Sequence, residues 1–247
     1  MNGDDASSSD KPTPSKRDEY VPISGLTGFE KWRRTMAFLT GIGISEGDRA
    51  RELANVQINN CEADKHYLMQ ASPSVVFMLK HLKVAGCELP PSNIVCAPCE
   101  GPLSHVSGFV PDDNAILLCA GRFWSRKHLE QSMVHEMMHF YDNCRFKVKW
   151  DDLRHHACSE IRANNLSGDC SFLRQLRRAE PGFFKKHQEC VRSRAILSVS
   201  QNPNCPDVAT AERAVNEVWD SCFPDTRPFD EVCWSHTLLT CLRLTPF

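Results

Sequence analysis

The segment MVHEMMHFYD, residues 133–142, places two histidines four positions apart with a glutamate directly after the first. Residues four apart share one face of an α-helix, so His135 and His139 could offer imidazole nitrogens to one metal ion. Glu136 would lie beside that ion as the general base for a water that the ion activates. The pattern predicts a hydrolase with Zn²⁺ as cofactor. The alternatives are a helix that merely exposes its histidines and a zinc site without catalysis.

A catalytic zinc needs a third protein ligand and one open position. The short extended signature that supplies a third histidine is absent, because Asp142 and Arg145 stand at its glycine and histidine positions. We favour Glu160 as the third ligand, since some zinc peptidases take a glutamate from a following helix. His155, His156 and Asp142 remain alternatives at this stage.

The helix that carries the two histidines is predicted to be buried along one side. Ser125 is a suitable N-cap, and an apolar face follows at helical spacing, formed by Leu129, Met133, Met137 and Phe140. A second helix, the one that carries Glu160, is predicted to begin near Asp151 or Asp152 and to end before Gly168.

The remaining pattern predicts an α+β fold. Residues 105–110 and 115–119 read as the strands of a β-hairpin just before the histidine helix. The N-terminal half is predicted to be helical, with helices over 28–43 and 72–86 and one or two between them. We interpret the methionine and aromatic stripes of these helices as core. The expected architecture is a mostly helical, zincin-like metalloprotease with a small hairpin or sheet beside the active-site helix.

Composition bounds the protein class. The chain has 247 residues and a formal net charge of −2, which gives no reason to expect a nucleic-acid partner. No apolar run approaches the roughly 20 residues of a membrane span. Residues 1–24 are rich in Ser, Asp, Pro and Lys and are predicted to be a disordered tail, without the apolar core of a signal peptide. Residues 25–247 are predicted to form a single zinc metalloprotease domain.

Thirteen cysteines are many for a chain of this length. Because they are spread along the chain, we favour several disulfides in an oxidising compartment over buried thiols in a reducing one. The CAPC segment alone does not make a four-thiolate zinc site, since no second C-x-x-C follows.

The segment from GRFWSRKHLEQSMVHEMMHFYDNCRF to HHACSEIRANNLSGDC closely resembles the core of a known family. These are the mitochondrial inner-membrane metalloproteases that mature a subunit of the ATP synthase and assist its assembly. The HExxHFYD box, the HHACSEIRA segment and the NLSGDC end carry the resemblance. It extends from about GFEKW to CPDVATAERAVNEVWDSCFPDTRPFD, nearly the whole chain beyond the tail.

The resemblance implies a zinc endopeptidase that is peripherally attached to the inner membrane on its intermembrane-space side. It also implies a protein substrate, the precursor of a membrane-sector subunit of the ATP synthase. Carried over by position, His135 and His139 are zinc ligands and Glu136 is the catalytic residue. Disulfides are permitted in the intermembrane space. The alternative function is a non-proteolytic assembly chaperone whose zinc site is structural.

Overall fold

The computed structural model of the chain describes residues 21–102, 105–170 and 183–229. Residues 1–20, most of the predicted tail, therefore lie outside the described residues. The chain divides into two compact units, the first ending at Val56 and the second beginning at Gln57. All the elements that position the candidate site belong to the second unit.

The described residues form seven α-helices, two short 3-10 helices and three strands, which confirms the α+β fold class. The α-helices are α1 Gly28–Thr40, α2 Glu46–Ala71, α3 Pro73–Val84, α4 Arg126–Phe146, α5 Leu153–Leu166, α6 Phe183–Val199 and α7 Val208–Cys222. The strands are β1 Ile94–Ala97, β2 Ser107–Val110 and β3 Ala115–Cys119, and the 3-10 helices are Ile23–Gly25 and Pro91–Asn93.

Side-chain caps set the beginnings of α3, α4 and α5. Ser72, directly before α3, accepts a hydrogen bond from the backbone N–H of Val75, and Ser125 accepts one from that of His128 before α4. Asp152 caps α5 in the same way. Each cap satisfies one of the backbone donors that a helix start leaves without an intrahelical partner. The predicted histidine helix and Glu160 helix are thereby confirmed as α4 and α5.

Contrary to prediction, the described residues do not bury the apolar stripe of α1. Phe29, Trp32 and Leu39 are exposed, and α1 buries no residue. Helical spacing shows which residues share a face, but it does not show whether another element covers that face. The stripe of α3 does form core, since Met78 and Leu82 are fully buried.

The three strands form one sheet in the order β1-β3-β2. The predicted hairpin is confirmed, because β2 and β3 pair antiparallel with Ser107 opposite Leu118. The parallel pairing of β1 with β3, in which Ile94 lies opposite Ile116, was not predicted. In the described chain β2 pairs with β3 alone, so its other side is an edge of the sheet.

Two hydrophobic clusters meet at the helix pair α4 and α5. The first joins α3 and the sheet to α4, with Met133 and Met137 fully buried. The second joins α5 to α6 and α7 through Ile161, Val191 and Val215. Since α4 packs on α5, side chains on their facing sides lie between the two clusters. None of the described helices combines the length and apolar character of a membrane span.

Disulfides cross-link the second unit, as predicted from the cysteine content. The described residues contain five: Cys61–Cys96, Cys87–Cys144, Cys99–Cys119, Cys158–Cys222 and Cys170–Cys190. Both cysteines of the CAPC segment are therefore in disulfides. The Cys87–Cys144 bond anchors α4 to the loop after α3, and the Cys158–Cys222 bond anchors α5 to α7.

Candidate active site

The two histidines of the HExxH segment lie one turn apart on α4 and converge. Their Nε2 atoms are 3.1 Å apart. His139 is buried, with 5% of its surface exposed, whereas 15% of the side chain of His135 is exposed. Met137 and Met138 are fully buried beside them, so the core-facing side of α4 fixes the helix and directs the histidines toward α5.

Glu160 comes to these histidines from α5. Its Oε1 atom lies 3.3 Å from Nε2 of His139, and its Oε2 atom lies 3.6 Å from Nε2 of His135. Within residues 21–102, 105–170 and 183–229, these three side chains are the one group of His, Cys, Asp and Glu whose ligand atoms all converge, within 4.8 Å of one another. Two nitrogens and a carboxylate form a donor set that can hold a metal ion.

None of the alternative third ligands belongs to the converging group. His155 is exposed, and its Nδ1 accepts a hydrogen bond from the backbone N–H of Lys149. His156 lies beside the group, with its Nε2 3.5 Å from Oε1 of Glu160. Asp142 is buried behind His139, where it contacts other side chains. The structure thus places Glu160, and none of the three alternatives, in the converging group.

Glu136 projects from α4 toward the sheet and is 5% exposed. One of its carboxylate oxygens accepts a hydrogen bond of 2.7 Å from the hydroxyl of Ser107 on β2. The edge strand therefore orients the carboxylate that follows the first histidine.

Glu160 is fixed by two hydrogen bonds from neighbouring side chains. Its Oε1 accepts from the hydroxyl of Ser198 on α6 at 2.6 Å, and its Oε2 accepts from the amide of Asn164 at 3.0 Å. Each carboxylate oxygen keeps a further lone pair, because a carboxylate offers about four acceptor positions.

A chain of hydrogen bonds behind His139 fixes the orientation of its ring. Nδ1 of His139 lies 2.8 Å from the hydroxyl of Ser159, which donates to Oδ2 of Asp142 at 2.9 Å. Because this hydroxyl proton goes to the carboxylate, the oxygen of Ser159 must accept the N–H of His139 Nδ1. The neutral ring then has its lone pair on Nε2, toward Glu160. Arg162, which is buried, contacts the other oxygen of Asp142 at 3.1 Å.

The charges of the group depend on one another. Burial lowers the pKa of His139, but the surrounding carboxylates, first Glu160 and then Glu136 and Asp142, together outweigh it and raise that pKa to about 9. Burial opposes ionisation of Glu160, yet the neighbouring imidazoles, first that of His139 and then those of His156 and His135, hold its pKa well below the usual range. Burial raises the pKa of Asp142 to about 6, despite the opposing charge of Arg162. The ionisation of each of His139, Glu160 and Asp142 therefore depends on the charges of the other groups.

These side chains line a cleft with a volume of about 1020 Å³. One wall is β2, including Ser107 and Phe109, and another is the end of α6 with the loop that follows it. Trp150, in the loop between α4 and α5, lies edge-on to both His139 and His156 at ring-centroid distances of 5.7 and 5.9 Å. The converging group therefore lies in an open groove.

Several residues of the site were not found by sequence reasoning. Ser107, Ser159 and Ser198 give no signal on their own, because single serines occur throughout the chain and only the tertiary fold brings these to the site. Asn164 could have been found, since it lies four residues after Glu160 on a predicted helix and thus on the same face.

Comparison with known proteins places the site in a family. Residues 59–230 match the model of the peptidase M76 family. A protein of Neosartorya fischeri named mitochondrial inner membrane protease atp23 is 47% identical over 221 residues, which cover 86% of this chain and 91% of that protein. Proteins with the same name from Yarrowia lipolytica and Debaryomyces hansenii are each 44% identical, over 85% and 84% of this chain and 86% and 90% of their own lengths. No solved structure matches the chain. The match over most of the second unit, together with these relatives, shows that the chain belongs to the peptidase M76 family.

Proposed function

We propose that this protease of the mitochondrial inner membrane is a zinc endopeptidase. His135, His139 and Glu160 hold the zinc ion in this proposal, and Glu136 moves the proton during peptide hydrolysis. The observation that carries it is the convergence of three ligand atoms within 4.8 Å in a cleft whose wall also presents Glu136. The peptidase family and the names of the relatives support a proteolytic activity.

The spacing of the three donor atoms fits zinc. The separations are 3.1 Å between the two imidazole nitrogens and 3.3 and 3.6 Å from those nitrogens to the carboxylate oxygens. Ligand bonds of about 2.0–2.2 Å in a tetrahedron put neighbouring ligand atoms roughly 3.3 Å apart. Three protein ligands also leave one coordination position open, which is typical of a catalytic rather than a structural zinc site.

The residues divide the work of hydrolysis. A bound zinc ion supplies an electrophile that polarises the peptide carbonyl and lowers the pKa of water. Glu136 accepts a proton as the water oxygen bonds to the carbonyl carbon, and then gives that proton to the nitrogen as the C–N bond breaks. The hydroxyl of Ser107 holds the carboxylate of Glu136 in place. Ser159 and Asp142 keep the lone pair of His139 on Nε2, as metal binding requires.

The unpaired edge of β2 in the described chain is an argument for an extended peptide as the substrate. The N–H of Cys119 donates to the carbonyl of Val106, so by the alternation of antiparallel pairs the backbone groups of Ser107 and Phe109 point away from β3. Ser107 and Phe109 also line the cleft. An extended polypeptide can pair with such an edge and place its backbone along the groove.

The proposed substrate is a membrane-sector subunit precursor of the ATP synthase, as the sequence resemblance implies. The proposed location is the intermembrane-space side of the inner membrane. Five disulfides among the described residues support that side, because disulfides persist in oxidising compartments. The disulfides support the proposed location and the edge strand supports an extended peptide substrate, and both arguments are independent of the metal.

The proposal is tested with Glu136→Gln and His135→Ala in the full-length chain. We expect Glu136→Gln to retain about one zinc per chain and to lose cleavage of the precursor, since the amide cannot accept the proton. We expect His135→Ala to lose both zinc and cleavage. Glu212→Gln, an exposed position on α7, is the matched control and should behave as the parent. Cleavage by the zinc-loaded Glu136→Gln protein would contradict the assigned mechanism.

The same variants separate proteolysis from assembly. If the second function is that of a chaperone with a structural zinc site, Glu136→Gln should restore ATP synthase assembly in cells that lack the parent protein, whereas His135→Ala should not. Failure of a folded and abundant Glu136→Gln protein to restore assembly would show that assembly depends on cleavage.

A further inference from the structure

His156 is beside the candidate zinc site but is not one of its converging ligands. It lies one helical turn before Glu160 on α5, so the two side chains share a face. It lines the cleft, and 15% of its side chain is exposed. Its Nε2 lies 3.5 Å from Oε1 of Glu160. His156 therefore presents a ring nitrogen at the wall of the cleft, next to a carboxylate oxygen of the proposed ligand Glu160.

Asn202 determines which nitrogen of His156 carries the proton. The side-chain oxygen of Asn202 accepts from the backbone N–H of Asn204 at 2.9 Å, and its nitrogen donates to the backbone carbonyl of Trp150 at 2.9 Å. These two contacts fix the orientation of the amide, because a backbone N–H can only donate and a backbone carbonyl can only accept. The second N–H of the Asn202 amide then points at Nδ1 of His156, 3.0 Å away. Nδ1 is therefore an acceptor, and the proton of the neutral ring is on Nε2.

Glu160 is not a close acceptor for the Nε2 proton of His156. Its Oε1 already accepts from Ser198 at 2.6 Å, whereas the 3.5 Å separation from His156 is at the outer limit of a hydrogen bond. The ring of His156 is also held by the edge-on contact with Trp150. An oriented N–H in a cleft, without a short acceptor of its own among the described residues, is suited to a group that arrives with the substrate.

Three other donors near the cleft are already engaged. The guanidinium of Arg122 donates to four backbone carbonyls, those of Cys99, Gly101, Pro102 and His105. Nε2 of His105 lies 2.9 Å from the side-chain oxygen of Gln201. Arg194 contacts the carboxylate of Asp169 at 3.2 Å. Their engagement favours His156 as the donor.

We propose that His156 is a catalytic residue that donates its Nε2 proton as a hydrogen bond to the carbonyl oxygen of the scissile peptide, and that Asn202 is the positioning residue that fixes this tautomer. The inference rests on the proposed peptidase function. When the water oxygen bonds to the carbonyl carbon, one water proton passes to Glu136 and the carbonyl π electrons move to the oxygen. His156 stabilises the resulting negative oxygen until the C–N bond breaks and the nitrogen takes the proton from Glu136.

The kinetic test compares His156→Leu with His156→Gln in the full-length, zinc-loaded chain. The probe is an internally quenched peptide that the parent cleaves. Loss of one such donor lowers kcat by about 10²-fold to 10³-fold, so we expect a fall of this size in the leucine variant with KM little changed. The glutamine variant, which can present an N–H, should recover at least tenfold of that loss. The matched control is His155→Leu, the adjacent exposed histidine, which should be unaffected.

A second measurement separates donation to the substrate from support of the metal. Zinc affinity, measured by competition with a chelator, should be unchanged in His156→Leu. Binding of a phosphinic peptide, whose tetrahedral anion resembles the transition state, should weaken in parallel with kcat/KM. If zinc affinity instead falls more than tenfold while the zinc-saturated variant turns over normally, His156 acts through Glu160 and the proposal is wrong.

The tautomer can be measured directly by ¹⁵N NMR of the side-chain histidine nitrogens. We expect the neutral ring of His156 to be protonated at Nε2, and Asn202→Ala to give a mixture of tautomers and a lower kcat. Protonation at Nδ1 in the parent protein would overturn the inference. Since this readout needs no turnover, it tests the tautomer of His156 separately from the Glu136→Gln experiment, which tests the proposed function.

Discussion

At the scale of single residues, the site depends on side chains that orient the reactive ones. Glu136 is buried, and the structure gives it a hydrogen bond from Ser107. Ser159 orients His139 by accepting its Nδ1–H, and Ser198 and Asn164 orient Glu160 by donating to its carboxylate. Such partners typically change metal affinity or activity by about 10-fold to 100-fold when they are removed.

Ser107→Ala should lower kcat without releasing zinc. A hydrogen bond to a charged group contributes about 1.5–3 kcal/mol, but Glu136 can still sample its productive position, so we expect a loss of roughly tenfold. KM for a peptide substrate and the zinc content should be unchanged. Ser107→Thr keeps the hydroxyl and suits a strand, so it should retain most of the activity. A large rise in KM in the alanine variant would show instead that Ser107 contributes to substrate binding.

The raised pKa of His139 predicts that zinc binding displaces a proton. In the metal-free site the carboxylates around His139, first that of Glu160, together outweigh burial and raise its pKa to about 9, so the ring is protonated at neutral pH. Since Nδ1–H donates to Ser159, the ionisable proton occupies Nε2 and competes with the metal. Apparent zinc affinity should therefore rise about tenfold per pH unit through the neutral range and become level above pH 9.

Calorimetry of zinc binding in buffers of different ionisation enthalpy measures this proton. We expect about one proton released per zinc at pH 7, and fewer at pH 10. The control is His155→Leu, which leaves His135, His139 and Glu160 intact and should release the same number of protons as the parent. Zinc binding without proton release at pH 7 would show that the ring of His139 is neutral in the empty site.

At the scale of secondary-structure elements, the sequence predicts what repeats locally. The helix of His135 and His139 and the helix of Glu160 follow from caps and 3.6-residue periodicity, and the β2–β3 hairpin from two apolar runs around PDDN. The parallel pairing of β1 with β3 could not be predicted, because strands 18 residues or more apart carry no shared local pattern. For the same reason the approach of Ser107 to Glu136, across 29 positions, has no sequence signal.

Pairing of the substrate with the edge of β2 predicts that amide-to-ester replacements in the substrate raise KM at every second position. If an extended peptide pairs with the outward groups of Ser107 and Phe109, its own outward and inward N–H groups alternate along the chain. Replacing single amides of a cleavable peptide by esters, away from the scissile bond, should raise KM about threefold to tenfold at alternate positions. The positions between them should be unaffected and serve as internal controls. A uniform response along the peptide would contradict pairing with β2.

At the scale of the whole molecule, the two hydrophobic clusters and the disulfides hold α4 and α5 together. The number of cysteines can be read from the sequence, but their pairing cannot, because pairing depends on which elements pack against each other. Cys158 lies two residues before Glu160 and is bonded to Cys222, the last residue of α7. This bond therefore fixes the helix that supplies the carboxylate of the candidate zinc site. By contrast, the bond between Cys61 and Cys96 joins α2 to β1, away from α5.

Removing the Cys158–Cys222 bond should lower both stability and zinc affinity. A bond that closes a loop of 64 residues constrains the unfolded chain, and the loss of a native disulfide typically costs about 2–5 kcal/mol. For a chain of this size, Tm should fall by about 2–4 °C per kcal/mol. Zinc affinity should fall as well, because α5 can then shift relative to α4 and the carboxylate loses its fixed distance from the two imidazoles. The double variant Cys158→Ala, Cys222→Ala is measured by thermal unfolding and by chelator competition. The double variant Cys61→Ala, Cys96→Ala should lose comparable stability yet keep its zinc affinity, whereas an equal loss of affinity in both would show that the metal site responds only to global stability.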